Sequence, residues 1–255
     1  MKTKTLNYDK MSGQQLQELL ELELASESSQ RENDLAEILE RKLMITGPGG
    51  CGKTSAATCL AYDLKSEPFC RPLVVIGAKM GLKKETFGEF EEINEEDFID
   101  QMKKITLAAG KDAAKENAEQ VYKLLLSMGV TIYGSTVVFD EARNFFDSRR
   151  AMDKLVNLGS DFVSAARHYQ TTLLLLAPAE SEIDQRVVNQ MQWKGTSFYN
   201  EYTEILKVHL NQKGIRDIHF EWDMEDGILH STYHSMFNTH TLLGFRPSRT
   251  DIKKW

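Results

Sequence analysis

Residues 43–54 read Leu43-Met44-Ile45-Thr46-Gly47-Pro48-Gly49-Gly50-Cys51-Gly52-Lys53-Thr54. A short apolar run of the buried-strand kind leads straight into G-x-x-x-x-G-K-[ST] over Gly47–Thr54, and a helix-compatible segment follows. Glycines at these places let successive backbone N–H groups turn inward around an anionic phosphate chain. A helix starting near Lys53 aims its positive end at the same point. The expected binding set is Gly47, Pro48, Gly49, Gly50, Cys51, Gly52, Lys53, Thr54 and Ser55. Within it Lys53 reaches the β- and γ-phosphates and the Thr54 hydroxyl holds Mg²⁺. A glycine-rich turn that binds nothing is the plain alternative. Here strand, loop, lysine, hydroxyl and helix all fall in register.

Working outward, helix 53–64 carries a small apolar face of Ala56, Ala57, Leu60 and Ala61. Pro72–Gly77, Ser135–Asp140 and Thr171–Ala177 read as further buried strands, and Pro178 ends the last. Helical signal fills about 149–167, and a short helix falls near 183–192. An acidic patch, Glu89–Asp100, opens a long polar helix reaching about Met128, with Lys103, Lys104, Lys111 and Lys115 in it. Strand-like alternation returns over 203–210, 215–222, 228–233 and 235–244, with a hairpin signal at Asp226-Gly227. Strands alternating with helices imply an α/β fold: a mostly parallel central sheet flanked by helices, with added C-terminal strands. Ligands of such sheets bind beyond the carboxyl ends of the strands.

Asp140-Glu141-Ala142 follows the apolar run Val137-Val138-Phe139. An Asp-Glu pair alone is usually a solvated turn. At the end of a buried strand, downstream of a phosphate loop, it supplies the second half of a hydrolytic site. Asp140 holds the Mg²⁺ shell, and Glu141, one step further and off the strand, orients and deprotonates the attacking water. One acid is occupied by metal and the other stays free.

The chain has 255 residues, which suits one ordinary α/β domain with a small appendage. Hydrophobic content of 41% and charged content of 27% fit a soluble globular protein. No apolar run is long enough to span a membrane and no secretory leader is visible, so no membrane insertion is expected. Cys51, Cys59 and Cys70 make no metal-type pair, and an odd count favours a reducing cytoplasmic setting. The histidines, among them His230, His234 and His240, lack zinc spacing. A net charge of −7 argues against a surface coated for DNA, though not against a local basic patch. Lys79, Lys83 and Lys84 form one such patch beside the nucleotide edge. Arg149-Arg150 and the tail residues Arg246, Arg249, Lys253, Lys254 and Trp255 are further candidates. Residues 1–41 read as an acidic helical arm, a hairpin broken at Ser26–Gln30, which packs on the core or docks a partner. Residues 42–244 form the main domain and 245–255 a basic tail.

These two motifs resemble the additional-strand, catalytic-glutamate division of P-loop NTPases. The guanine-reading Asn-Lys-x-Asp is absent, which favours ATP. Within that division Arg167-His168-Tyr169, Leu173–Leu176, Glu182-Ile183-Asp184 and Phe237-Asn238-Thr239 are similar to the HerA/FtsK group of DNA-pumping ATPases. That group includes viral packaging ATPases and conjugation motors. The resemblance implies an ATP- and Mg²⁺-dependent motor, a homo-oligomeric ring (a hexamer) moving or packaging DNA, as a viral or mobile-element protein. Arg167 is then the first candidate for an arginine finger acting in a neighbour's site, and Arg186 the second. The arm would dock a capsid, a relaxase or another protein. One departure stands out. The group usually ends the fourth strand with a Gln that senses the γ-phosphate, whereas this chain has Ala177-Pro178; Ser181 and Gln185 lie nearby but not at the matching place. Two other readings share the loop: an AAA-type replication initiator or loader with an all-helical lid, and a nucleotide-gated DNA-binding or segregation module with slow hydrolysis.

Overall fold

The computed structural model describes residues 13–77, 87–110, 127–150, 154–200 and 202–224. Eight strands form one sheet: β1 (Lys42–Thr46), β2 (Leu73–Gly77), β3 (Phe90–Ile93), β4 (Thr136–Asp140), β5 (Thr172–Ala177), β6 (Trp193–Asn200), β7 (Ile205–Asn211) and β8 (Asp217–Asp223). Their order across the sheet is β3-β2-β4-β5-β1-β6-β7-β8. The pairs from β3 through to β6 are parallel, and β6-β7-β8 form an antiparallel meander. β5 therefore lies between the phosphate-loop strand β1 and the acidic strand β4. That insertion is the additional strand the two motifs lead one to expect.

The central strands are buried on both faces because helices cover both. On one side α2 (Lys53–Lys65) packs against β4, β5, β6 and β7. On the other, α3 (Glu95–Gly110) and α5 (Lys154–Ala165) bring Phe98, Met102, Phe162 and Val163 into one cluster with Met44, Val74, Val137, Phe139 and Leu175. α3 starts well: Asn94 Oδ1 accepts the Asp97 N–H at 2.9 Å, and the first turn holds Glu95, Glu96 and Asp97. Two short helices follow the acidic strand and β5, namely α4 (Arg143–Phe146) and α6 (Gln185–Val188).

Three local expectations are corrected. The Ser26–Gln30 break does not exist: α1 runs unbroken over Gly13–Ile38. Residues 26–30 include no Gly or Pro, and Gln30 bonds Asp34 one turn on at 3.0 Å. The acidic patch does not open as a helix; Phe90–Ile93 is strand β3, and α3 begins only at Glu95. Among the described residues β3 pairs with β2 alone, and at a sheet edge Glu91 and Glu92 can point to solvent. The third is β6, whose eight residues were not foreseen. The chain divides into two units, one reaching to Glu37 and one beginning at Ile38. The strand signals at 228–233 and 235–244, Asp226-Gly227, Phe237-Asn238-Thr239, the three C-terminal histidines, Lys111, Lys115 and the tail all lie outside the described residues.

Candidate functional site

The loop after β1 is held at both ends by main chain. The Gly47 N–H donates to the Ala177 carbonyl of β5 at 3.3 Å, and the Ala56 N–H closes the first turn of α2 on the Gly52 carbonyl at 2.8 Å. Gly50 (φ 80°) and Gly52 (φ 87°) occupy the left-handed region that a Cβ disfavours. At Gly52 a Cβ would also meet Leu206 Cδ1 at 2.7 Å and Tyr199 Cβ at 3.2 Å. The Lys53 ammonium folds back over the loop and donates to the Gly47 and Pro48 carbonyls at 2.7 and 2.8 Å.

The acidic half comes from β4. Phe139 is fully buried and meets Phe98, Phe145 and Phe146 edge-on, with centroids 5.5, 5.2 and 5.1 Å away. This aromatic packing fixes where the strand ends. Asp140 is half-buried there and accepts the Thr54 hydroxyl proton at 3.2 Å. Burial raises its carboxyl above the usual value. The Thr54 bond opposes that shift, and the charge on Glu141 adds to it. Glu141 turns off the strand at φ 55° and is exposed. The next residue is pinned again, with the Ala142 N–H donating to the Leu176 carbonyl at 2.8 Å. A non-glycine residue in the left-handed region stores about 1–2 kcal/mol of strain, which the bonds on either side hold in place.

Thr54 and Asp140 fit Mg²⁺. One hydroxyl and one carboxylate are hard oxygen donors, and this ion commonly takes only one or two protein ligands, with phosphate and water completing its shell. Among the described residues no group of three or more His, Cys, Asp or Glu side chains could hold a metal.

The remaining predicted residues are spread out. Arg167 is exposed in the 3₁₀ turn Ala166–Tyr169, just before β5 starts. It lies near enough to Lys42, at the start of β1, to help burial lower that ammonium's pKa. Arg167 is thus at the amino ends of the parallel strands, opposite the carboxyl ends where Lys53 lies, and does not join the site of its own chain. Arg186 is bound to Asp184 through Nε (3.0 Å) and Nη2 (2.9 Å), and to Asn157 through Nη1 (3.0 Å). Arg149 pairs with Asp147, whose carboxyl it holds down at about 2; Arg150 is exposed. Lys79, Lys83 and Lys84 lie outside the described residues. The segment after Pro178 is stitched to the one after Glu141. Ser148 Oγ donates to the Ser181 carbonyl at 3.0 Å, Arg143 pairs with Glu182 at 3.1 Å, and the Asp184 N–H reaches the Phe146 carbonyl at 2.7 Å.

β6 adds a wall that motif reading missed. Ser197 Oγ lies 3.3 Å from Cys51 Sγ, and Tyr199 and its cross-strand partner Leu206 back Gly52. The signal was present in Trp193-Lys194-Gly195-Thr196-Ser197-Phe198-Tyr199, which is rich in strand formers. Gly195 masks it. A Cβ there would run into the His209 carbonyl, so the glycine is required by close strand approach.

A phosphate loop on β1, an Asp-Glu pair closing β4 and a strand inserted between them define a P-loop NTPase of the additional-strand, catalytic-glutamate division. The family model described as zonular occludens toxin (Zot) matches residues 43–201, and the chain belongs to that family. Among solved structures it is similar to the EssC ATPases 2 and 3 of Geobacillus thermodenitrificans, at 13% identity over 82% of this chain and 46% of that one, TM-score 0.52. It is also similar to the pCW3 conjugation coupling protein TcpA, at 13% identity over 82% of this chain and 66% of that one, TM-score 0.51. The N-terminal domain of the Neisseria meningitidis zonular occludens toxin matches at 15% identity over 78% of this chain and all of that one, TM-score 0.47. Both EssC and TcpA extend well beyond what this chain spans. No curated protein matches it. Among the described residues no helix is long and apolar enough to cross a membrane.

Proposed function

We propose that the protein is a Mg²⁺-dependent ATPase that works as a homo-oligomeric ring, a hexamer, and couples hydrolysis to DNA movement or packaging. The observation that carries this reading is the Thr54–Asp140 hydrogen bond with Glu141 exposed beside it. In this reading the pair is the metal-ligand set and Glu141 the free base, both at the mouth of one phosphate loop. Lys53 exchanges its two loop carbonyls for phosphate oxygens. Thr54 and Asp140 hold the metal, which supplies charge neutralisation on the outer phosphates. Glu141 takes the proton of the attacking water. ATP is favoured by the missing guanine-reading motif, and TcpA, which shares the fold, was solved with ATPγS.

Arg167, at the far end of the parallel strands from its own phosphate loop, acts across the subunit interface in this reading, with Arg186 as the second choice. A ring gathers Lys79, Lys83, Lys84, Arg149 and Arg150 from every subunit around one DNA duplex, so an acidic chain still binds it. Residues 1–41 serve as a docking arm for a capsid, relaxase or other protein, 42–244 as the motor and 245–255 as a basic tail, in the cytoplasm of the (host) cell. An initiator or loader would carry an all-helical lid after β5, the fourth strand of the sequence reading; in this chain the strands β6, β7 and β8 follow there.

The test is the ATPase rate with and without double-stranded DNA for the intact chain and Arg167→Ala. The motor reading expects stimulation by DNA, loss in the variant, and partial recovery when Arg167→Ala and Lys53→Ala subunits are mixed. A slow rate indifferent to DNA, with Arg167→Ala fully active, would favour the nucleotide-gated module instead.

A further inference from the structure

The phosphate loop stands between two walls. One is Asp140 with Glu141, beside the Thr54 hydroxyl; in the ATPase reading above this is where the reacting phosphate is held. The other is the β6–β7 hairpin, where Ser197 touches Cys51 and Tyr199 and Leu206 back Gly52. A nucleoside triphosphate whose outer phosphate faces the first wall must send its nucleoside toward the second. β6 is long enough to receive it. Thr196 is level with Thr46, the last residue of β1, and β6 continues to Asn200. Strand alternation puts Ser197 and Tyr199 on the face shared with α2, and Phe198, 60% exposed, on the other. Tyr199 therefore stands past the end of the loop's own strand, beside the start of α2 and half-buried.

We propose that the Tyr199 ring carries the base of the bound nucleotide by stacking. The contact reads the area of the base's flat face, so a purine triphosphate binds more tightly than a pyrimidine one. This rests on the ATPase reading above and assigns the nucleoside end of that site.

The experiment is calorimetric titration of the full chain with Mg²⁺ and ATP, CTP or inorganic tripolyphosphate, comparing the wild type with Tyr199→Ala, Tyr199→Phe and Lys53→Ala. The expected result is that Tyr199→Ala weakens ATP about tenfold, weakens CTP less, and leaves tripolyphosphate unchanged. Tyr199→Phe keeps ATP binding. Equal losses for ATP and tripolyphosphate would mean that the side chain acts on the phosphate loop and not on the base, and would overturn the inference. So would a Tyr199→Ala variant that binds ATP like the wild type. If Lys53→Ala also binds ATP normally, the phosphate-site reading falls, and the inference with it.

Discussion

The Thr54 hydroxyl and the Asp140 carboxylate meet at 3.2 Å, although they stand on a helix start and a strand end far apart in sequence. The bond holds in one place the two oxygens that face the metal in the proposed mechanism. Thr54→Ala removes one of them and leaves the helix intact, since alanine is a good helix former. We expect the Mg²⁺ concentration for half-maximal ATPase to rise at least tenfold, with Thr54→Ser close to wild type. A Mg²⁺ titration of the rate checks it; an unchanged midpoint in Thr54→Ala would remove Thr54 from the metal site.

Glu141 is the exposed member of the acid pair, so its removal should affect chemistry rather than affinity. Glu141→Gln is expected to lower the hydrolysis rate by about 10²–10⁴ while ATP binding stays within about threefold. Single-turnover hydrolysis and equilibrium binding separate the two. Normal hydrolysis in this variant would show that the base lies elsewhere.

Asp140 is an acid whose folded pKa is raised by burial. Such a group adds stability that is complete below its unfolded pKa and is lost as pH rises through the folded value. At neutral pH the wild type therefore bears the cost of a buried carboxylate. Asp140→Asn, which can still accept the Thr54 bond, should melt at a higher temperature than wild type without nucleotide. The gap should close as pH falls toward the ordinary carboxylate value of 3.8. Thermal melts across that range check both sign and window, and a gap independent of pH would assign the effect to packing.

Gly52 combines a left-handed backbone with contact from β6 and β7. Gly52→Ala is expected to cost about 2–4 kcal/mol, summing the backbone penalty and the overpacking against Leu206. Urea unfolding measures it. A loss under 0.5 kcal/mol would mean that the hairpin yields and does not brace the loop.

Much of this site was legible because its chemistry is local in sequence. Gly47–Thr54 and Asp140-Glu141 each sit at the end of an apolar run, and β1, β2, β4 and β5 lie within a residue of where those runs placed them. What escaped was whatever depends on partners distant in the chain. β3 survives two glutamates because it is an edge strand, which composition does not reveal. β6 hides behind Gly195, whose reason is the His209 carbonyl on the next strand. The placement of Arg167 opposite Lys53 follows from strand direction, and only topology supplies that.

β5 ends at Ala177 and Pro178 follows, where the resemblance to the HerA/FtsK group leads one to expect a polar sensor. Its last two carbonyls nevertheless grip both halves of the site: Leu176 holds the turn that presents Glu141, and Ala177 holds the start of the loop. The two grips are adjacent links of one main chain. A shift at either is felt by the other without any side chain passing the message, and Pro178 then hands it to the segment stitched beneath Arg143 and Ser148. Alanine scanning would walk past such a wire. Cutting it requires changing the backbone itself, by replacing the amide of Ala142 with an ester that has no proton to give.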